Sequence, residues 1–542
     1  MASPERLAAA MRLLSSAAWS EAEAAARAAL ADTPDDPAAS RLLGLAIAAM
    51  GEDARAAPTL THVAATQPDR DHPCVDLARL KPSLPGALVA RQFRACLRLA
   101  PSDDRLRVAF AEFLLDTGQP AESAETLLYA PDSAARHHLM GLARAEQALF
   151  PPAIDSFDRA VTLNPDAAPS WSNLGMVLKV EGRFAEAIAA HDKAVTLDPA
   201  NPRFRVNRAV ALLKAGLWER AWQDYEARFE LPGAPPIDKS TLMPSLQAGD
   251  DLSGRTILAL HEDGFGDTLQ FLRYLPLLAE RGARVVACVP PSLTRVMRTI
   301  PGVTEVVTDP RHVPTHDFVC PMFSLPRVFG TTVHNIPPVP PMTLDPELAR
   351  QWAGRLPPGG LRVGLVWAGQ ARPSLPGFGT LDRRRSAGLA AFEPLFAVPN
   401  VSFISLQAGP AARQPRPAGL QMLDPQMLDP MPDVTDFADT AAIIAALDLV
   451  VSVDTSVVHL AGLVGKPAFL LDRYDGCWRW LSGRRDSPWY PGMTIFRQHE
   501  PADWSAPMTE AAASLHAMAM FRGFAHGDGS ARGGVREDAF VA

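Results

Sequence analysis

An α-helical repeat solenoid followed by two parallel-sheet α/β lobes with a cleft between them is the fold class this sequence predicts. Two observations carry that expectation. Over residues 1–233, prolines recur at Pro34, Pro68, Pro101, Pro131, Pro165 and Pro199, each closing an apolar helical run. Beyond residue 253 the period changes, and short apolar runs of strand type alternate with amphipathic helical stretches. That alternation is the mark of parallel sheets with crossover helices.

The repeat register comes first along the chain. Successive prolines lie 34, 33, 30, 34 and 34 residues apart. Proline stops a helix because its nitrogen has no hydrogen to donate, and a period near 34 is that of a helix–turn–helix repeat. The clearest unit is residues 168–201, APSWSNLGMVLKVEGRFAEAIAAHDKAVTLDPAN. Gly175 and Ala187 are small where paired helices must approach closely, and Trp171 and Leu174 share one apolar face. With Ala194 and Pro199 they hold the marked positions of the tetratricopeptide repeat, which this unit resembles. Gly141, Ala153, Phe157 and Pro165 repeat the pattern before it, and Ala209, Ala221 and Tyr225 after it. The units ending at Pro101 and Pro131 are degenerate. Six or seven helix pairs are expected, against the plainer alternative of an Ala-rich bundle.

A proline-rich linker is expected at 234–253. The first α/β lobe, 254–340, shows strand runs at 256–262, 284–289 and 304–308, with helices at 268–280 and 291–300. The second lobe, 341–521, shows strands at 362–367, 401–406, 449–453 and 468–471, with helices at 440–447 and 456–464. A proline-rich stretch at 334–346 joins the lobes. Residues 522–542 are glycine-rich and charged and are expected to be disordered.

Composition narrows the function classes. Hydrophobic residues make up 47% and charged residues 21% of the 542, as in ordinary globular proteins. A net charge of -8 argues against a nucleic-acid or membrane-surface binder, which would carry a basic footprint. The five cysteines are scattered and no two are two to four residues apart, so neither a disulfide framework nor a zinc cluster follows from spacing. The N-terminus reads as a helix, not a signal peptide, and no apolar run is long enough to span a bilayer. A cytoplasmic location is expected.

Two segments can carry chemistry. In HEDGFGDTLQFLRYLPLL a strand ends, Gly264 and Gly266 make a tight turn, and a helix begins at Asp267. Glycine permits close approach of a ligand to backbone. Asp267 alone is equally well explained as a first-turn acid favoured by the helix dipole. In LVVSVDTSVVHLAGLVGKP a strand runs through Asp454, Thr455 and Ser456 directly into a helix bearing His459. Open α/β sheets bind ligands at this kind of junction, and free N–H groups with two hydroxyls suit a diphosphate. Helix capping and a core histidine are the alternative. LDRRRSAGL adds Arg383, Arg384, Arg385 and Ser386 after a strand. The stretch 478–490 mixes Trp478, Trp480, Trp489 and Tyr490 with Arg479, Arg484 and Arg485, which fits a sugar or base platform or simple interlobe packing.

Together, Gly266-Asp267 before an apolar helix and Asp454-Thr455-Ser456 before His459-Leu460 resemble the motifs of glycosyltransferase family 9, the lipopolysaccharide heptosyltransferase family. The segments EDGFGDTLQFLRYLPLL and WRWLSGRRDSPWYPGMTIFRQ look like those of bacterial proteins that fuse tetratricopeptide repeats to such a transferase. The resemblance covers roughly residues 253–498 and implies a GT-B fold, two Rossmann-like lobes. It implies inverting transfer from a nucleotide-sugar co-substrate, with no other cofactor and no metal. Asp267 would be the general base and Glu262 its backup. Gly264, Gly266, Arg385, Ser386, Asp454, Thr455, Ser456 and His459 would bind the donor. One tension is physical: a helix N-terminus stabilises carboxylate and so weakens a base. The acceptor would be a protein or a glycan, and the repeats would recruit a protein partner. The rival readings are a non-catalytic scaffold with vestigial lobes, and an epimerase or hydrolase on the same fold.

Overall fold

The computed structural model describes residues 3–67, 69–80, 84–234, 237–370, 378–421 and 427–526. The chain divides into two compact units, Met1–Pro199 and Ala200–Ala542.

The first unit is six antiparallel helix pairs, from Pro4–Ser15 with Trp19–Asp32 to Ala168–Val180 with Phe184–Leu197. Glycine sets how closely paired helices approach. A Cβ built on Gly175 would stand 2.7 Å from the His191 ring, and one on Gly141 would stand 2.6 Å from Phe157. Side-chain caps at Asp36, Asp103 and Ser133 accept otherwise orphaned helix amides. Small alanines fill much of the core, with Phe93 stacked on Phe110 and Phe113 at its heart.

The second unit opens with a seventh pair, Pro202–Lys214 and Trp218–Tyr225. The division at 199/200 therefore falls within the repeat array, which was expected over residues 1–233. Aromatic packing is the reason. Trp218 and Trp222 are buried and lie 5.3–5.9 Å, ring to ring, from one another and from Trp478 and Trp489 of the α/β region. Lys214 donates to the Cys477 and Leu481 carbonyls, and Trp222 Nε1 donates to the Thr331 carbonyl.

Two parallel sheets follow, as a GT-B fold requires. The first contains β1 (Thr256–Leu260), β2 (Arg284–Cys288), β3 (Val303–Val307) and β4 (Phe318–Pro321), in the order β3-β2-β1-β4. The second contains β5 (Leu361–Val366), β6 (Val401–Ser405), β7 (Leu449–Val453), β8 (Ala468–Asp472) and β9 (Met493–Arg497), in the order β6-β5-β7-β8-β9. Chain order reverses beside β1 in the first sheet and between β5 and β7 in the second. Ligands of open α/β sheets bind outside the carboxyl ends of strands at such switch points.

Several elements differ from expectation. The helix expected at 268–280 begins earlier, at Phe265, and is interrupted. Phe265–Phe271 gives way to a 3-10 turn, and Leu275–Glu280 restarts it with Pro276 in its first turn. The helix at 291–300 contracts to Thr294–Met297 after a 3-10 turn. Strands β4 and β9 and the helix Ser505–His526 were not anticipated. β4 is four residues ending in Pro321, too short to show a period. The tail expected to be disordered lies, from residue 527, outside the described residues. No helix among the described residues is long and apolar enough to cross a membrane.

Candidate functional site

Three loops leave strands at the two switch points and face one cavity of about 320 Å³. From β1 come Asp263, Gly264, Gly266 and Asp267; from β5, Gly369 and Gln370; from β7, Asp454, Thr455 and Ser456. A second cavity of about 520 Å³ adjoins it across Phe265, Gly369, Thr455 and Ser456, and is walled largely by apolar residues such as Leu406 and Phe437.

The β1 loop is bent by Asp263, whose φ of 62° is a left-handed conformation that few non-glycine residues adopt. Gly264 then caps the helix Phe265–Phe271. Asp267 sits in the first turn and folds back, accepting the Gly264 amide on Oδ2 at 2.9 Å. Its Oδ1 forms an ion pair with Arg479. Burial pushes the Asp267 carboxyl above the ordinary carboxylate range, and Arg479 opposes that rise. Desolvation thus outweighs both the Arg479 cation and the Gly264 amide.

Gly266 is small because the helix Ser456–Val464 passes against it. A Cβ there would lie 2.9 Å from His459 Cδ2 and 3.4 Å from the Ser456 backbone. His459 is buried, stacks on Trp480 at 5.3 Å and shares a 3.0 Å hydrogen bond between Nδ1 and the Tyr490 hydroxyl. Burial holds its pKa down at about 3, so the imidazole is neutral. It lines the cavity while bracing the junction between the lobes.

Thr455 caps the Ser456–Val464 helix, and its hydroxyl lies 3.2 Å from Ser452 Oγ. Arg385 reaches over Gly369, with Nη2 2.9 Å from Asp382 and 3.1 Å from the Gln370 carbonyl. Ser386 is a brace, accepting the Gly369 amide at 3.2 Å and donating to the Asp382 carbonyl at 2.8 Å. Of its neighbours, Arg384 pairs with Asp475 and Arg383 is exposed. The loop at 371–377 lies outside the described residues.

Glu262 is placed differently from Asp267. It is not among the residues lining the cavity. It pairs with Arg228 at 2.8 Å and accepts the Phe323 amide at 2.9 Å. Burial raises its pKa, and Arg228 opposes the rise. These contacts give Glu262 a structural partner just beyond the seventh helix pair.

Among the cavity-lining residues, Tyr225 and Phe323 were not singled out by sequence reasoning, and Arg479 was read only as part of the platform at 478–490. Arg479 donates to Gln270 at 2.5 Å as well as pairing with Asp267, and lies over Phe323 and Trp478. Tyr225 packs on Phe323 at 5.2 Å. One signal was visible: Trp218, Trp222 and Tyr225 load the last repeat with aromatics, where a solvent-facing capping repeat would be polar. The expected aromatic platform at 478–490 is mostly buried packing, with Trp478, Trp480, Trp489 and Tyr490 at 5% exposure or less.

The tetratricopeptide repeat family matches residues 138–202 and, overlapping them, 174–235. Protein FlbA of Caulobacter vibrioides is 26% identical over 344 residues, covering 57% of this chain and 54% of FlbA. The chain thus spans about half the length of that curated relative. Among solved structures, the chain is similar to a glycosyl transferase family 9 protein from Veillonella parvula, with 12% identity over 49% of this chain and 99% of that one and a TM-score of 0.38. It is also similar to MamA, with 24% identity over 29% of this chain and 92% of MamA and a TM-score of 0.26.

Proposed function

We propose that the second unit is an inverting, metal-independent glycosyltransferase that moves a sugar from a nucleotide sugar to a protein or glycan acceptor, and that the repeat array recruits a protein partner. One observation carries this reading: a desolvated carboxylate and a helix N-terminus rich in hydroxyls face the same cavity from two different switch points. The diphosphate of the donor meets the Thr455 and Ser456 amides and hydroxyls, with Arg385 as the cation. The nucleoside lies in the adjoining apolar cavity. Asp267 takes the proton of the acceptor hydroxyl as its oxygen bonds to the anomeric carbon. The bond from that carbon to the diphosphate oxygen breaks, and its electron pair leaves with the nucleoside diphosphate.

The rival reading, a binding module without turnover, draws on the engagement of both Asp267 oxygens, by Gly264 and Arg479. Donor hydrolysis and transfer assays over a panel of nucleotide sugars, with and without cell extract, separate the two. Nucleoside diphosphate release is expected for at least one donor. Asp267→Asn is expected to keep donor binding and lose turnover by at least about 100-fold, the scale of general-base assistance. Donor binding without release from any nucleotide sugar would leave only the binding module. Unchanged turnover in the Asn variant would remove Asp267 from the chemistry.

A further inference from the structure

The first unit holds a separate constellation of chemistry-bearing side chains. His72 caps the helix Pro73–Arg79, Cys74 lies in its first turn, and Cys96 lies near the end of the helix Gly86–Leu99. A ring nitrogen of His72 and the two sulfurs all fall within 4.8 Å of one another. The sulfurs are 3.5 Å apart. All three residues are buried, the two cysteines completely. Linear spacing hides this group, because 21 residues separate the cysteines and only the packing of two helices brings them together.

Geometry favours shared coordination. Two thiolates on one tetrahedral zinc, each about 2.3 Å from the metal, stand about 3.8 Å apart. The observed sulfurs need to move by only a few tenths of an ångström. A disulfide would require them to close to about 2.0 Å and would leave the histidine without a role. Packing alone accounts for buried thiols, which behave as small apolar groups. It does not account for His72 Nε2, which is buried with no hydrogen-bond partner among the described residues.

We propose that His72, Cys74 and Cys96 bind one thiophilic divalent cation of the zinc class. Charge selects the valence: two thiolates neutralise a divalent ion, whereas a monovalent ion would leave net negative charge in an apolar core. On loading, two S–H bonds break, two metal–sulfur bonds form, and two protons pass to solvent. His72 Nδ1 accepts the Cys74 amide at 3.1 Å. The ring exchanges that single contact for a metal–nitrogen bond. The fourth position falls to a water or to the Thr61 hydroxyl, which lies against Cys96. The ion would pin a helix of only seven residues to its longer partner.

The full-length protein, reduced and stripped with chelator, is titrated with cobalt(II) and then zinc(II). One cobalt per chain is expected, with a charge-transfer band of two-thiolate intensity. One equivalent of zinc should bleach that band. Direct zinc loading should release two protons per ion and raise the thermal midpoint. Cys74→Ala with Cys96→Ala should abolish the band, and His72→Gln should weaken zinc at least tenfold, with circular dichroism checking that each variant keeps its helices. The wild-type spectrum counts thiolates without any variant. A wild type with no charge-transfer band overturns the proposal, as does a band that survives the double substitution, or a Cys74–Cys96 disulfide that forms in place of metal uptake after reduction.

Discussion

At the scale of single residues, Asp267 is held by Arg479 at the wall of the cavity, and in the proposed transfer it is the base. A carboxyl whose folded pKa lies above its unfolded value favours the protonated form in the folded state. Its contribution to stability is therefore present at low pH and lost as pH rises through the folded pKa. Asp267 is such a group, raised by burial and restrained by Arg479. As a base it must be ionised, so the acid limb of the kcat/KM profile should lie above the ordinary carboxylate range. Arg479→Met should move that limb further upward, because desolvation then loses its largest opponent. It should also cost about 3–5 kcal/mol of stability, the scale for removing one partner of a buried pair. A pH–rate profile and denaturant unfolding check the two effects separately. His459 behaves in the opposite sense. Its folded pKa of about 3 lies below the unfolded 6.5, so its contribution is present above pH 6.5 and fades as pH falls toward 3. His459→Gln should flatten the acid side of the stability curve by at most one proton's slope, about 1.4 kcal/mol per pH unit, measured by denaturant midpoints across that window.

At the scale of elements, close helix contacts depend on glycine. Gly266→Val would drive its methyls into His459 and the Ser456 backbone, separating the helix that carries Asp267 from the Ser456–Val464 helix. A loss of about 1–3 kcal/mol is expected from overpacking, together with weaker donor binding, seen by calorimetry. Gly141→Val, which meets Phe157 in the first unit, should destabilise by a similar amount and leave donor binding alone. Elements were also where the sequence was most and least readable. The proline register and the small residues Gly175 and Ala187 made the repeats legible, and β7 and the Ser456–Val464 helix lie at 449–453 and 456–464 as read. Strand β4 escaped because four residues ending in proline carry too little period to stand out from loop, and β9, no shorter than the strands that were read, follows the aromatic and arginine-rich stretch 478–490. Arg479 was read as part of an aromatic platform, and its pairing with Asp267 escaped because the two are 212 residues apart. Glu262 was misleading for the converse reason. Sequence proximity put it beside Asp267, while its partner Arg228 lies in the segment after the last repeat.

At the scale of the molecule, the seam at 199/200 divides the chain by its contacts. A fragment of residues 200–542 should fold with one cooperative transition and bind donor. A fragment of residues 234–542 loses Trp218, Trp222 and Tyr225 from one side of the aromatic cluster and leaves Trp478 and Trp489 uncovered. It should aggregate or melt without cooperativity, and gel filtration with scanning calorimetry distinguishes the two. The seventh helix pair resembles its neighbours in sequence and belongs to the second unit in packing.

That placement bears on how such a protein diversifies. Because Tyr225 borders the cavity and Arg228 secures Glu262, the pair nearest the sheets is tied to the fate of the site, and drift there would be felt as lost activity. Pairs upstream of the seam carry no such obligation. Duplication or deletion in that stretch would, on the proposed function, change what the array grips while leaving the second unit's own contacts whole. Lineages descended from this architecture should therefore vary in repeat number freely and in the identity of the final repeat hardly at all.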